Sequence, residues 1–284
     1  MRLWVAAMLL LPLLTGCGGS AESSSGKPTV VDSVYPLQYV ARRVVGDHAT
    51  VQDLTRPGVE PHDLELTVQQ TAQIVDADVV LYERGLQPAV DEAIDQNGPK
   101  RVLDARTVAH LEHGNPHFWL DPERLSAVAV AFAREMSRAD PSHAPAYARN
   151  LAALQQDLGR LDRRLRAGLA DCRITTTVVS HNAFVYLSRY GPRFVPINGL
   201  SPEAEPSPEH IRTLQDLIRA RGITTVFTEP LASPEIADTL ARDLGVRTAV
   251  LDPIEGLSST TRGADYLSLM RQDLAALRKA NECR

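Results

Sequence analysis

The sequence lacks features that several large classes of protein need. Its longest apolar run, residues 3–14, is shorter than the roughly 20 residues that a membrane-spanning helix requires. No segment interleaves aromatic with basic residues and the formal net charge is −5, so nucleic acid is not an expected partner. The three cysteines have no zinc-finger spacing, and no His-Glu-x-x-His motif is present. What is present is a chain of 284 residues, 44% of them hydrophobic, which is enough for a packed body of two lobes.

The amino terminus has the pattern of an export signal. Arg2 provides a positive start, an apolar run follows, and residues 1–16 are predicted to be a signal peptide. The sequence Leu-Thr-Gly-Cys that ends at Cys17 resembles a bacterial lipobox, which implies cleavage before Cys17 and attachment of lipid to it. Residues 17–27 are small and polar, as in a flexible tether. We therefore expect an extracytoplasmic lipoprotein anchored to the cell membrane; an ordinary signal peptide with a chance cysteine is the alternative.

The two other cysteines form a candidate disulfide. If Cys17 carries lipid, Cys172 and Cys283 remain as a pair, and an exported compartment permits disulfides. A bridge would hold the carboxyl terminus, which otherwise frays. Two free thiols are the alternative.

Strand-like and helix-like segments alternate along the chain, which predicts an α/β fold with parallel sheets. Two sets of four strands suggest two similar lobes. The predicted strands are residues 29–34, 49–54, 78–82 and 101–104, then 174–180, 193–197, 224–227 and 248–251. The predicted helices include residues 68–77, 88–96, 209–221, 234–244 and 264–279, with Ser207 and Ser233 as expected N-caps.

One segment has no strand signal. Between residues 141 and 171, six leucines recur at spacings of three and four, which marks one face of a helix, while charged residues such as Asp162 cover the other face. At 1.5 Å per residue this helix would be roughly 45 Å long, enough to cross a small domain. We interpret it as an interdomain helix between an N-terminal lobe, residues 28–140, and a C-terminal lobe, residues 172–284. One strand of a coiled-coil dimer is the alternative.

Three histidines occupy matching positions far apart in the sequence. His62, His117 and His181 each lie in a loop where a strand-like run gives way to a helix-like run. Open α/β sheets bind ligands at the carboxyl ends of their strands, and imidazole is a common ligand of zinc. The three histidines therefore predict one metal site that the fold assembles.

The motifs around these histidines resemble a known family. They are Pro-His at 61–62, Pro-His-Phe-Trp-Leu-Asp-Pro at 116–122, Ser-His-Asn-Ala-Phe-Val-Tyr-Leu at 180–187 and Leu-Asp-Pro at 251–253. Their order and spacing resemble the metal-binding solute-binding proteins of ABC transporters, the cluster that includes the ZnuA- and TroA-type proteins. The resemblance runs from Val30 to Leu274. It implies two (β/α)₄ lobes, joined by one long rigid helix, with a metal at the lobe interface.

The resemblance also implies the metal ligands. They carry over onto His62 and His117 from the first lobe, and onto His181 and Asp252 from the second. Asp252 precedes a proline, so a turn or cap role, or a contact through water, is its alternative. Manganese-selective relatives typically have a glutamate where this chain has His181, which favours Zn²⁺ over Mn²⁺. Three neutral nitrogens with at most one carboxylate also suit tetrahedral zinc, whereas manganese prefers more oxygen.

Further polar residues near the motifs are candidates for supporting roles. Glu60 and Glu229 are candidates for contacts to the ligands, and Asp121 is expected to cap the helix that follows it. Some zinc-type relatives have a long loop rich in histidine and acidic residues before the second ligand. Here this loop is short and contains His110 and His113, which either collect zinc weakly or are plain exposed histidines.

Together these features predict a receptor rather than an enzyme, expected as a monomer, that captures Zn²⁺ outside the cytoplasmic membrane. It would deliver the ion to an ABC permease and its ATPase. A manganese or iron receptor is the alternative within this class. An exported zinc hydrolase would need an open zinc position for water, and a surface adhesin would explain none of the ligands. Zinc affinity is expected to fall as the pH drops through about 6.5, because ligation requires neutral imidazoles.

Overall fold

The structure is a computed structural model that describes residues 26–284. The predicted signal peptide, the lipidation candidate Cys17 and almost all of the predicted tether lie outside these residues. Within residues 26–284, no helix is both long and apolar enough to cross a membrane.

Two parallel four-stranded sheets form the centres of two lobes, which confirms the predicted α/β class. The first sheet contains β1 (Thr29–Asp32), β2 (Thr50–Asp53), β3 (Val79–Tyr82) and β4 (Val102–Asp104). The second contains β5 (Thr176–Val179), β6 (Arg193–Pro196), β7 (Thr225–Thr228) and β8 (Arg247–Val250). The strand orders are β2-β1-β3-β4 and β6-β5-β7-β8, so the second sheet repeats the topology of the first. Each predicted strand corresponds to one of these eight.

Register brings the carboxyl ends of the strands to one edge of each sheet. The last residue of β1, Asp32, pairs with Asp53 at the end of β2 and with Leu81 near the end of β3. In the second sheet, Val179 at the end of β5 pairs with Pro196 at the end of β6. The loops that carry the predicted ligands therefore begin at these edges.

Helices connect and follow the strands. In the described part of the chain they are α1 (Tyr35–Val45), α2 (Val68–Asp76), α3 (Pro88–Asn97), α4 (Arg106–Ala109), α5 (Pro122–Ala139), α6 (Ala144–Leu169), α7 (Pro208–Arg221), α8 (Glu235–Leu244) and α9 (Tyr266–Asn281). The five shorter helices predicted from the sequence agree with α2, α3, α7, α8 and α9 to within two residues at each end. The sequence pattern does not predict α1, because Val34 before it offers no side-chain cap and burial of eight of its 11 residues weakens its periodicity.

The long helix α6 contacts both lobes. Its 26 residues span about 39 Å, somewhat less than predicted, because Pro141–His143 forms a 3₁₀ turn before it. The leucine face is buried from Leu154 to Leu169 and packs against α1 and α5 on one side and α9 on the other. Asp162 departs from the prediction: it is buried rather than exposed, because its carboxylate accepts a hydrogen bond from Tyr190 at 2.7 Å.

Side-chain caps begin several helices as the sequence predicts. Ser207 accepts from the backbone N–H of His210 at the start of α7 (3.2 Å), and Asp121 accepts from that of Glu123 in α5 (2.9 Å). At α8 the predicted N-cap is wrong: the helix begins at Glu235, one residue later than predicted, so Pro234 is the N-cap, and Ser233, which accepts the Glu235 N–H at 3.4 Å, precedes it.

The predicted disulfide is present between Cys172 and Cys283, which are 111 residues apart. Beside it, the Ile174 N–H donates to the carbonyl of Asn281 at 3.0 Å. The bridge therefore fastens the carboxyl terminus to the beginning of the second lobe.

Candidate metal centre

The predicted ligands lie in loops that follow the carboxyl ends of strands. His62 lies between β2 and α2, and His117 lies between α4 and α5. His181 follows β5 by two residues, and a further residue, Glu255, lies between β8 and α9. Two loops come from each lobe, so a site formed by these residues lies where the lobes meet.

The side chains of His62, His117, His181 and Glu255 converge. Each offers one ligand atom, and these atoms all lie within 4.8 Å of one another. Oε1 of Glu255 is 2.6 Å from Nε2 of His117, 3.3 Å from Nε2 of His181 and 3.4 Å from Nε2 of His62. The Nε2 atoms of His117 and His181 are 3.2 Å apart. Donor atoms about 2.0–2.1 Å from a tetrahedral zinc would lie about 3.4 Å from one another, so three of these four distances fit such an ion, whereas the 2.6 Å contact between Glu255 and His117 would have to lengthen.

Asp252, the fourth ligand that the resemblance implies, is not a member of this group, and the carboxylate that faces the histidines is Glu255. Oδ1 of Asp252 accepts the N–H of Ile254 at 2.8 Å, which closes a turn. Ile254 adopts the left-handed backbone region at a φ of 60°, and Glu255 follows it. The turn role given as the alternative for Asp252 is therefore the one that the geometry shows. Sequence reasoning missed Glu255 because the Leu-Asp-Pro motif locates the loop without deciding which of its carboxylates points inward.

The four side chains differ in exposure. His117 and His181 are fully buried and Glu255 is nearly so, whereas the side chain of His62 retains 12% exposure. Beside them lies a cavity of about 10 Å³, comparable to one water molecule or ion, whose acidic lining residues are Glu60, Glu229, Asp252 and Glu255. His62 is thus the ligand candidate nearest to solvent.

Two of the histidines are held through their second ring nitrogen. Nδ1 of His117 lies 2.8 Å from Oδ1 of Asn115. Nδ1 of His181 lies 2.7 and 2.8 Å from the two carboxylate oxygens of Glu229. An acceptor at Nδ1 keeps the proton there and leaves Nε2 free for a metal. Glu229 therefore has the contact predicted for it. Asn115 was missed, although its position two residues before His117 could have indicated a contact with that ring.

Glu60 supports His62 in another way. Oε2 of Glu60 accepts from the backbone N–H groups of His62 and Asp63, at 2.7 and 3.3 Å. The contact holds the backbone of the loop rather than the imidazole ring. The orientation of the His62 ring is consequently less constrained than those of His117 and His181.

The two buried histidines of the site, His117 and His181, have pKa values shifted in opposite directions. Burial lowers the pKa of His117 to about 4, despite the attraction of Glu255. Burial also disfavours charge on His181, but hydrogen bonds to Glu229 and Glu255 prevail and raise its pKa to about 10. Burial opposes ionisation of Glu255 too, yet the adjacent histidines hold its pKa well below the usual range. Without a metal, the cluster therefore pairs a protonated His181 with an ionised Glu255.

Hydrogen bonds across the lobes hold the loops around the site. The indole N–H of Trp119 donates to the carbonyl of Pro253 at 2.7 Å, and the hydroxyl of Tyr266 donates to the carbonyl of Trp119 at 2.5 Å. The N–H of Tyr35 donates to the carbonyl of Glu255 at 3.2 Å. Arg189 also reaches across to Asp121, which is the N-cap of α5 as predicted.

The two loop histidines lie apart from the converging group. His110 and His113 both have left-handed backbones, with φ values of 53° and 51°. Arg124 donates to the carbonyls of Ala109 and His110, which ties the loop to α5. Among residues 26–284, neither histidine belongs to a cluster of metal-ligand type. Their accessory role in collecting zinc stays a prediction.

Comparison with known proteins agrees with this architecture. A family model for ZnuA, the periplasmic component A of the zinc-uptake complex, matches residues 30–280. The zinc-binding lipoprotein AdcA of Streptococcus pneumoniae is 30% identical over 97% of this chain, which covers 60% of that protein. The high-affinity zinc uptake system protein ZnuA of Bacillus subtilis is 31% identical, with 96% of this chain and 95% of that protein covered. This chain therefore spans less than two thirds of AdcA but nearly all of the Bacillus protein.

Solved structures show the same fold. The Zn(II)-bound ZnuA-like domain of Streptococcus pneumoniae AdcA superposes with a TM-score of 0.78 at 32% identity, covering 90% of this chain and 100% of that domain. Both lobes of the present chain are included in a match of this extent. The chain belongs to the ZnuA family of zinc-uptake components.

Proposed function

We propose that this protein is the extracytoplasmic receptor of a zinc ABC transporter, and that His62, His117, His181 and Glu255 bind one Zn²⁺ between the lobes. The observation that carries the proposal is the convergence of three Nε2 atoms and one carboxylate oxygen, all within 4.8 Å of one another. Three imidazoles and one carboxylate suit Zn²⁺, whereas Mn²⁺ prefers more oxygen ligands. Membership of the ZnuA family supports the transport role.

Zinc would act as a bridge because each lobe contributes two ligands. The long helix α6 packs against both lobes, which opposes wide hinge bending, so we expect small shifts of loops and lobes on binding. Delivery to the permease then requires the bridge to open. We expect His62 to leave first, because it is the most exposed ligand and its ring is the least constrained.

Metal analysis tests this proposal directly. Protein purified without chelator or affinity tag should contain one zinc per chain and should keep it against an excess of Mn²⁺. A His181→Ala variant should lose the bound zinc. His210→Ala is the matched control, because His210 contacts the Pro196 carbonyl at 3.0 Å and lies outside the cluster. Preference for Mn²⁺, or equal zinc loss in both variants, would reject the zinc site.

An exported zinc hydrolase is the rival in another functional class. Catalytic zinc has three protein ligands and one position for water. Glu255 would fill that fourth position here, so no activated water is expected. Zinc-loaded protein should leave a panel of esters and peptides intact, and turnover of any of them that is lost in His181→Ala would favour the rival.

Attachment to the membrane through lipid on Cys17 is part of the same proposal, as are a monomeric state and docking to a permease with its ATPase. The full chain, expressed in a bacterium, should fractionate with membranes, and Cys17→Ala should move it to the soluble fraction. Ser20→Ala, three residues further on, is the control that should stay with membranes. Retention of Cys17→Ala in the membrane would reject the lipid anchor.

The accessory role of His110 and His113 can be separated from the main site by calorimetric titration with zinc. The double variant His110→Ala/His113→Ala should lose a weak binding event and keep the tight one. Unchanged stoichiometry and uptake rate would show that the two histidines are plain loop residues.

A further inference from the structure

Asn115 has every polar group of its side chain engaged in a buried position next to two ligand loops. Only 4% of the residue is exposed. Its Oδ1 accepts the backbone N–H of His117 at 3.0 Å and lies 2.8 Å from Nδ1 of the same residue. Its Nδ2 donates to the carbonyl of Asn182 at 2.6 Å, and Asn182 directly follows His181. One amide thus contacts a ligand of the first lobe and a ligand loop of the second.

The chemistry of its partners determines which way the amide faces. The backbone N–H of His117 only donates, so the atom facing it must be the oxygen. The carbonyl of Asn182 only accepts, so the atom facing it must be the nitrogen. A flipped amide would lose both contacts, and the orientation is therefore unambiguous.

This orientation favours one tautomer of His117, although Oε1 of Glu255, 2.6 Å from Nε2, favours a proton on the other ring nitrogen. Because Oδ1 of Asn115 accepts and cannot donate, a hydrogen bond to Nδ1 of His117 requires the proton on that nitrogen. A neutral imidazole with its proton on Nδ1 has its lone pair on Nε2, which is the atom that points at His181 and Glu255.

The backbone of Asn115 is held from the second lobe as well. Its carbonyl accepts a hydrogen bond from the hydroxyl of Tyr186 at 2.6 Å, and this hydroxyl also accepts from the N–H of Glu112 at 3.0 Å. Asn115 therefore has two hydrogen bonds to the second lobe, one from its backbone and one from its side chain. A shift of either lobe would therefore change the hydrogen-bond distances at both Oδ1 and Nδ2 of Asn115.

We propose that Asn115 is a positioning residue of the metal site, which holds His117 in the zinc-binding tautomer and at the same time sets the distance between the loops of His117 and His181. The proposal rests on the zinc site proposed above. One neutral amide would thus accept a hydrogen bond from His117 and donate one to the Asn182 carbonyl. A carboxylate or a hydrocarbon side chain could not do both, because only an amide is acceptor at one end and donor at the other.

Removal of the amide is the first test. Asn115→Ala should raise the Kd for zinc about 10- to 100-fold, the usual consequence of losing a partner of a metal-bound histidine. In the metal-free variant, long-range ¹H–¹⁵N spectra of labelled histidine should show a larger share of the Nε2–H tautomer of His117 than in the original protein, because Oε1 of Glu255, 2.6 Å from Nε2, then competes for the proton without opposition from Asn115. His117→Ala identifies the resonance.

Asn281→Ala is the matched control. Asn281 is also buried, with 2% exposure, and its side chain exchanges hydrogen bonds of 2.9 and 3.2 Å with Thr177 in the second lobe. Its loss should lower the melting temperature without changing the Kd for zinc or the His117 spectrum. An effect on Kd equal to that of Asn115→Ala would mean that general destabilisation accounts for both, and would overturn the proposal.

Asn115→Asp separates the two tasks and provides a variant of nearly identical shape. Its carboxylate can still accept from His117, so Nδ1 should again carry a proton, while the added charge favours the imidazolium form, as Glu229 does at His181. The oxygen that replaces Nδ2 cannot donate to the Asn182 carbonyl, so the Kd should stay about fivefold above that of the original protein, as expected for one lost hydrogen bond.

Three results would overturn the proposal: an unchanged Kd in Asn115→Ala, an unchanged tautomer ratio of His117 in that variant, or full recovery of zinc affinity in Asn115→Asp. Failure of the original protein to bind zinc would instead reject the proposed function. The tautomer measurement is made without metal, so it would still judge the contact between Asn115 and His117.

Discussion

The two lobes share one topology but hold their proposed metal ligands with different chemistry. In the first lobe, a neutral amide from Asn115 contacts His117, and the backbone-directed Glu60 supports His62. In the second lobe, a buried carboxylate from Glu229 contacts His181. Both arrangements leave Nε2 of the histidine facing the proposed metal position. The strand order of the sheets determines where the histidines meet. The residue that contacts Nδ1 determines whether the imidazole is charged.

The consequence is a division of protonation between the lobes. With only an amide behind it, the buried His117 stays neutral, and its pKa is about 4. Despite equal burial, His181 has a pKa of about 10 because Glu229 and Glu255 stabilise its charged form. One histidine is thus ready for a metal, and the other must first lose a proton. The following predictions test this difference, beginning with the largest expected effect.

Ligand truncation should reveal an order among the histidines. A structural zinc site contributes about 10–16 kcal/mol in total, so one of four ligands is worth about 3 kcal/mol or more. We expect His117→Ala and His181→Ala to weaken zinc binding about 1000-fold, and His62→Ala about 100-fold, because its ring is partly exposed and its orientation is less constrained. Competition with a chromophoric chelator measures these changes. Equal losses at all three positions would remove the proposed distinction of His62.

Loss of the disulfide should destabilise the second lobe selectively. The bridge between Cys172 and Cys283 closes a loop of 111 residues, and a loop of this size is worth about 3–5 kcal/mol of unfolding free energy. The double variant Cys172→Ala/Cys283→Ala should lose this amount in urea denaturation. Hydrogen exchange should quicken first in β5 to β8, and uniform loss of protection over both lobes would contradict a local role for the bridge.

Removing the charge behind His181 should change the pH dependence of binding. Because the pKa of His181 is raised to about 10, its proton is still present at neutral pH and zinc must displace it. Zinc affinity should therefore rise about tenfold per pH unit between pH 6 and 8, rather than level off above about 6.5 as the sequence alone suggests.

Glu229→Gln keeps a hydrogen-bond acceptor behind the ring but removes the charge, so this slope should become shallower. The affinity itself should fall about 10- to 100-fold. Calorimetry in two buffers of different ionisation enthalpy counts the protons released. One proton released at pH 7.5 by both proteins would show that Glu229 does not control the protonation of His181.

The smallest effect is expected at the start of α6, on the side of the first lobe. Burial raises the pKa of Asp140, but hydrogen bonds from Ser142, Tyr147 and His143 prevail and lower it to about 2. A depressed pKa stabilises the fold above the unfolded value of about 3.9, and this stability is lost as the pH falls from about 4 to about 2. Asp140→Asn should cost about 1 kcal/mol at pH 7 and nothing near pH 2. A constant difference across this range would exclude ionisation of Asp140 as the cause.

Much of the fold could be predicted because its signals are local. Apolar runs of four to seven residues identify the eight strands, and the leucine spacing identifies α6 without knowledge of its neighbours. Serine and aspartate caps locate the starts of α5 and α7. Asp162 was placed wrongly because its burial depends on Tyr190, which is 28 residues away and contacts it only in the folded chain.

The sequence by itself determined the fold class, the family and the choice of the three histidines, since periodicity and short motifs are enough to identify each of them. Only the tertiary structure decided that Glu255 rather than Asp252 faces the histidines, and that Asn115 lies behind His117. The physical reason is that both outcomes depend on loop conformation and on contacts between lobes: a left-handed Ile254 turns the chain beyond Asp252, and Asn182 in the second lobe holds the amide of Asn115. Sequence spacing places a residue in a loop, but the direction of its side chain is set by partners that only folding brings near.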